Sequence, residues 1–134
     1  MLHGFVPDLD PLYRTVGMSI VPLLAGSGTR LKILEALARA VPVVSTSIGA
    51  EGLQVTPEHG VDLADAPEAF VECCVRGLTA LEAGVSRARA GRAFVATTHD
   101  WRVVDERVAD LARALHSRRF PPAVGGGRHD EHSR

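Results

Sequence analysis

Residues 18–46 constrain the fold more than any other stretch. An apolar run (Met18–Pro22) leads into a glycine-bearing loop (Leu23–Gly28), a helical pattern rich in Leu, Ile and Ala (Thr29–Ala40), and a second apolar run (Pro42–Thr46). Short apolar runs alternating with helical patterns predict an α/β fold built on a parallel sheet. Leu2–Val6 reads as a preceding strand, and Asp10, Pro11 and Gly17 punctuate a short helix before Met18. Leu53–Val55 and Val61–Ala64 are two further strand candidates. Beyond them the chain reads as helical. Asp65 and Glu68 have the spacing of a capping box, and Phe70, Val71, Cys74, Val75, Leu78 and Leu81 recur at helical spacing. In this reading Gly84 ends that helix, Ser86 caps the next, and Asp100 caps a last amphipathic helix with Val104, Val108, Leu111, Ala112 and Leu115 on one face. From Arg118 onward, Pro121-Pro122, Gly125-Gly126-Gly127 and mixed charges predict a disordered tail. The expected division is a folded region over 1–117 and a tail over 118–134.

Composition excludes several function classes. A chain of 134 residues holds one core. Its net charge of -1 argues against a dedicated nucleic-acid binder. No uninterrupted apolar stretch approaches the ~20 residues that a membrane helix needs, and residues 1–4 lack the features of a signal peptide. Cys73 and Cys74 are adjacent, which excludes a long-range disulfide framework and makes a cytoplasmic location the expectation. Lys32 is the only lysine in a chain that otherwise uses arginine, so a compact ammonium at that place is either functional or chance.

In parallel α/β sheets, ligands bind beyond the C-terminal ends of the strands. Two loops fall there: Ala25-Gly26-Ser27-Gly28 and Ser47–Gly52. Glycines let the backbone approach a ligand closely, and the free N–H groups of a helix's first turn attract phosphate. Thr29 adds a hydroxyl at the same place. A glycine-rich turn between strand and helix is also common without any ligand. Gly28, Lys32, Glu35 and Arg39 share one helical face. Along it Lys32 could neutralise phosphate and Glu35 could accept from the hydroxyls of a ribose; the alternative is a surface ion pair worth only ~0.2–0.5 kcal/mol. In the second loop, Gly49, Glu51 and Gly52 are candidate contacts. His3, His59, His99 and His116 form no recognisable constellation, no catalytic base or nucleophile can be nominated, and no metal site is expected. A dinucleotide fingerprint would need a third glycine where Leu31 stands.

The run Pro22-Leu23-Leu24-Ala25-Gly26-Ser27-Gly28-Thr29-Arg30-Leu31-Lys32-Ile33-Leu34-Glu35-Ala36-Leu37-Ala38, followed by Pro42-Val43-Val44-Ser45-Thr46, resembles the donor-site signature of family-4 glycosyltransferases of the GT-B fold. Gly4-Phe5-Val6 with Leu12-Tyr13, Gly49-Ala50-Glu51-Gly52-Leu53 and Asp100-Trp101 are similar to the family's flanking segments, so the resemblance covers about residues 3–112. It implies a Rossmann-like parallel sheet flanked by helices, an incomplete C-terminal GT-B domain with C-terminal helices. It also implies transfer of a sugar from a nucleotide-diphosphate sugar to an acceptor, with retention, and no cofactor beyond that donor substrate. Gly26, Ser27, Gly28, Thr29, Arg30 and Lys32 would lie against the diphosphate and sugar, and Glu35 would bind the ribose. Where family members often carry a Glu eight residues before the ribose Glu, this chain has Ser27. The resemblance further implies a preceding acceptor domain and two earlier sheet strands. Met18–Pro22 would then form an exposed sheet edge through which the chain self-associates, and the full enzyme would be cytoplasmic or peripheral to a membrane. The alternative is a truncated, non-catalytic chain that binds nucleotide weakly or acts only through protein contacts.

Overall fold

The computed structural model describes residues 4–26 and 28–119. The elements run α1 (Asp10–Tyr13), β1 (Ser19–Val21), α2 (Leu31–Ala38), β2 (Val43–Ser45), a 3-10 turn (Pro57–His59), β3 (Val61–Leu63), α3 (Pro67–Thr79), α4 (Leu81–Thr98) and α5 (Trp101–Arg119). The described strands form one parallel sheet in the order β1-β2-β3, with Ser19, Ile20 and Val21 opposite Val43, Val44 and Ser45, and those opposite Val61, Asp62 and Leu63. The α/β class expected from the alternating pattern is the observed one.

Strand alternation sends side chains to two unlike faces. Val21, Val43 and Val61 join Ile33, Ala36 and Leu37 of α2 in the larger core, with Val41, Ala50 and Val55. The buried positions of α2 follow the i, i+3, i+4 rule, so this short helix turns one apolar stripe onto the sheet. Ile33 and Leu37 are fully buried, worth roughly 1.5–3 kcal/mol each on an area basis. On the opposite face, Val44, Ala64 and Cys73 form a smaller core under α3.

Small residues let α4 lie close to its neighbours. A Cβ added at Gly91 would collide with the His59 carbonyl, one at Gly84 would press on Pro42, and one at Gly60 would stand 2.7 Å from the Ala88 backbone. Gly84, Ala88 and Gly91 therefore make a contact stripe at helical spacing. Arg87 adds a two-pronged bond to Asp62 (3.0 and 3.1 Å) and donates to the Pro57 carbonyl at 2.9 Å. The hydrogen bonds to Asp62 push the Arg87 guanidinium pKa up, outweighing burial.

Several local expectations are corrected. Gly4–Val6 forms no strand: Gly4 sits at φ +64° and Phe5 is 91% exposed, so no sheet face covers it. Leu2 and His3 lie outside the described residues. Leu53–Val55 also forms no strand; Leu53 N–H turns back to the Ala50 carbonyl, and Val55 serves as a core plug. The break between α3 and α4 falls at Ala80, not at Gly84–Ser86, because Thr79 Oγ1 bonds the Val75 and Arg76 carbonyls at the end of α3 while Gly84 is required inside α4. Asp65 is not the cap of α3, whose N-cap position is Ala66 without a side-chain bond. The chain divides into two compact units between Asp100 and Trp101. The second unit is α5, which extends past residue 117 to Arg119, and the expected tail beyond it lies outside the described residues. Among the described residues, no helix is long and apolar enough to cross a membrane.

Candidate functional site

The C-terminal ends of β1 and β2 open into a cleft of about 250 Å³ lined by Val21, Leu23, Thr29, Arg30, Lys32 and Gly49, among others. Two glycines shape the first loop, with Gly26 at φ +150° and Gly28 at φ +113°, where a side chain would be strained. Gly28 sits in open space, so the backbone conformation rather than packing demands glycine there. No side chain caps the N-terminus of α2; Leu31 and Ile33 N–H donate to the carbonyls of Thr29 and Arg30, which leaves the Lys32 N–H of the first turn to meet an acceptor.

Arg30 is the most telling residue of the cleft. Its side chain is only 7% exposed. Nη2 donates to the Gly26 carbonyl at 3.2 Å and to Glu51 Oε2 at 3.1 Å, which clasps the two loops together. Its Nε is buried without a partner. An unmet buried donor carries a desolvation cost on the order of 1–3 kcal/mol, and this one belongs to a residue of the cleft wall. Lys32, exposed beside it, adds a second cation.

The second loop is tethered by groups the sequence reading passed over. Thr46 Oγ1 donates to the Leu23 carbonyl at 2.6 Å and accepts from Gly49 N–H at 3.0 Å. Ser45 Oγ donates to the carbonyls of Val21 and Thr46 at 3.3 and 2.9 Å. A Cβ at Gly49 would collide with Ser45 Oγ, so this glycine is required by close approach. Asp65 accepts from Ser47 N–H and Ser47 Oγ, both at 2.7 Å. Those bonds, the backbone one foremost, hold its carboxyl below the usual carboxylate range. The available signal was the run Ser45-Thr46-Ser47 at a strand end, since such hydroxyls bond nearby backbone readily.

The structure thus brings Thr29, Arg30, Lys32 and Gly49 to one cleft and joins Gly26 and Glu51 to it through the clasp. Gly52, at φ +81°, is exposed in the following turn. Ser27 lies outside the described residues. Glu35 does not line the cleft: it acts electrostatically on Tyr13, and burial first, then Glu35, push that phenol above its ordinary pKa against the pull of Arg39. Among the described residues Lys32 and Glu35 form no ion pair with each other. Arg39, expected on the same ligand-facing stripe, instead bonds Asp10 at 2.6 Å and covers the Tyr13 ring at 4.9 Å.

A three-stranded parallel sheet between helices, with its cleft beyond the strand ends, defines a Rossmann-like α/β protein. Residues 1–80 match the family described as glycosyl transferases group 1, and the chain belongs to that family. No curated protein and no solved structure matches it.

Proposed function

We propose that this chain is the donor-binding part of a GT-B glycosyltransferase that moves a sugar from a nucleotide-diphosphate sugar to an acceptor with retention. The observation that carries this reading is the cleft containing Arg30, whose buried Nε lacks an acceptor beside the uncapped α2 N-terminus and Lys32. A diphosphate offers acceptors to all three, and charge-assisted hydrogen bonds to such an anion are about twice as strong as neutral ones. Arg30 Nε donates to one phosphate oxygen, Lys32 neutralises the departing charge, and the glycine loop lies against diphosphate and sugar. Stabilising charge on the leaving diphosphate is then this chain's contribution to catalysis. Glu35, a turn further along α2, accepts from the ribose hydroxyls once the nucleoside extends beyond the cleft.

Titration of the 134-residue chain with UDP and GDP, followed by NMR, tests the assignment. Saturable shifts at Thr29–Lys32 and Gly49 are expected for one of them. Arg30→Gln and Glu35→Ala should each weaken binding by roughly tenfold or more, the scale of a lost charge-assisted bond. Unchanged affinity in both variants would return the cleft to a purely structural role. With UDP- and GDP-sugars and an acceptor panel, the chain alone should release no nucleoside diphosphate, because the acceptor domain is supplied elsewhere.

A further inference from the structure

We propose a second anion site at the opposite end of α2, built to take a phosphate monoester. A cleft of about 360 Å³ is lined there by Asp10, Tyr13, Arg14, Ala38, Arg39 and Arg92. Arg39 follows Lys32 by seven residues, about 10 Å along a helix rising 1.5 Å per residue, so this cleft is separate from the one at the glycine loop. Three guanidinium groups meet around it in a chain whose net charge is only -1. Asp10 neutralises just one of them, holding Arg39 at 2.6 Å. Among the described residues, the side chains of Arg14 and Arg92 have no ion-pair or hydrogen-bond partner. Like charges brought together without counter-ions repel, and a dianion with several acceptor oxygens relieves that repulsion by accepting from more than one arginine fork.

The acidic neighbours do not cancel this charge. The lining residues sum to a positive balance of two, and Glu35, behind Tyr13, lowers it to one. Tyr13, fixed under Arg39 and with its pKa raised chiefly by burial, keeps its proton and adds an O–H donor. From Ala38 and Arg92 the cleft continues past Val95 and Ala96 to His99 and Asp100. That continuation, through Val95 and Ala96, offers an apolar wall for an organic group, while the arginines stand at the other end. The ligand chemistry is therefore a phosphate carried on a small apolar or aromatic body.

The test is NMR titration of the 134-residue chain with phenyl phosphate and with inorganic phosphate at physiological ionic strength. Phenyl phosphate should give saturable shifts at Tyr13, Ala38 and Ala96 and bind more tightly than inorganic phosphate. Arg92→Gln and Arg14→Gln, which break no side-chain hydrogen bond or ion pair among the described residues, should each weaken it at least about tenfold. Lys32→Gln should leave the response at these positions unchanged. Non-saturating shifts, or affinity retained in both arginine variants, would overturn the site. Equal affinity for the two probes would overturn its assignment to a monoester.

Discussion

The two faces of the sheet are stabilised very differently. Under α2 and α4, nine buried residues interlock, and the glycines of α4 bring it against the 3-10 turn and Pro42. Under α3 the buried set is only Val44, Ala64 and Cys73. There Ile20 stays 54% exposed, and Val71, Val75 and Leu78 stand 56–61% exposed along one stripe of the helix. The contrast teaches where stability and function are joined. The glycine loop, the Arg30 clasp and Lys32 all hang from α2, whose packing belongs to the dense face.

Truncation on each face should break the symmetry most visibly. Leu37→Ala leaves a cavity in the dense core and should cost ~2–5 kcal/mol, whereas Val75→Ala should stay within about 0.5 kcal/mol, as exposed substitutions do. Urea unfolding of both variants checks the pair; equal losses would mean that the α3 face is buried in solution. A smaller effect of opposite sign is expected at the end of α2. Ala40 adopts φ +55°, with Val41 N–H bonded to the Ala36 carbonyl and Ala40 N–H to the Leu37 carbonyl. This is the Schellman arrangement, where glycine is preferred. Ala40→Gly should therefore stabilise the chain by about 1 kcal/mol, seen as a raised urea midpoint.

The smallest effect concerns Asp65. Its carboxyl pKa is lower in the folded state than in the unfolded one, so the stability it adds is present above the unfolded value and is lost as pH falls through the folded value. The group is fully exposed, so the measurement is local. Ser47 amide exchange should accelerate relative to Gly49 as pH drops below about 4, and Asp65→Asn should remove that pH dependence.

Much of this was legible in the sequence because periodicity reports burial. Val43 and Val44, and Ile33 with Ala36 and Leu37, announced β2 and α2 within a residue or two of their observed ends. The same signal misled where an apolar run packs without pairing, as at Val55, or where a left-handed glycine precedes an exposed aromatic, as at Gly4-Phe5. Gly84 read as a stop because glycine usually ends helices; only its neighbour Pro42 reveals that the helix needs it. At the candidate site, Thr29, Arg30, Lys32 and Gly49 were visible from motif and loop position. The Arg30–Glu51 clasp and the Ser47–Asp65 tether were not, since they join residues 21 and 18 positions apart.

The Thr46 hydroxyl has a mechanical consequence. By donating to Leu23 and accepting from Gly49, it rivets the exits of two neighbouring strands to a single oxygen. The loops on either side of the cleft then travel as one body, so a force applied to the first is felt at the second. Strain entering at Gly49 reaches Leu23 through two hydrogen bonds and one hydroxyl, that of Thr46.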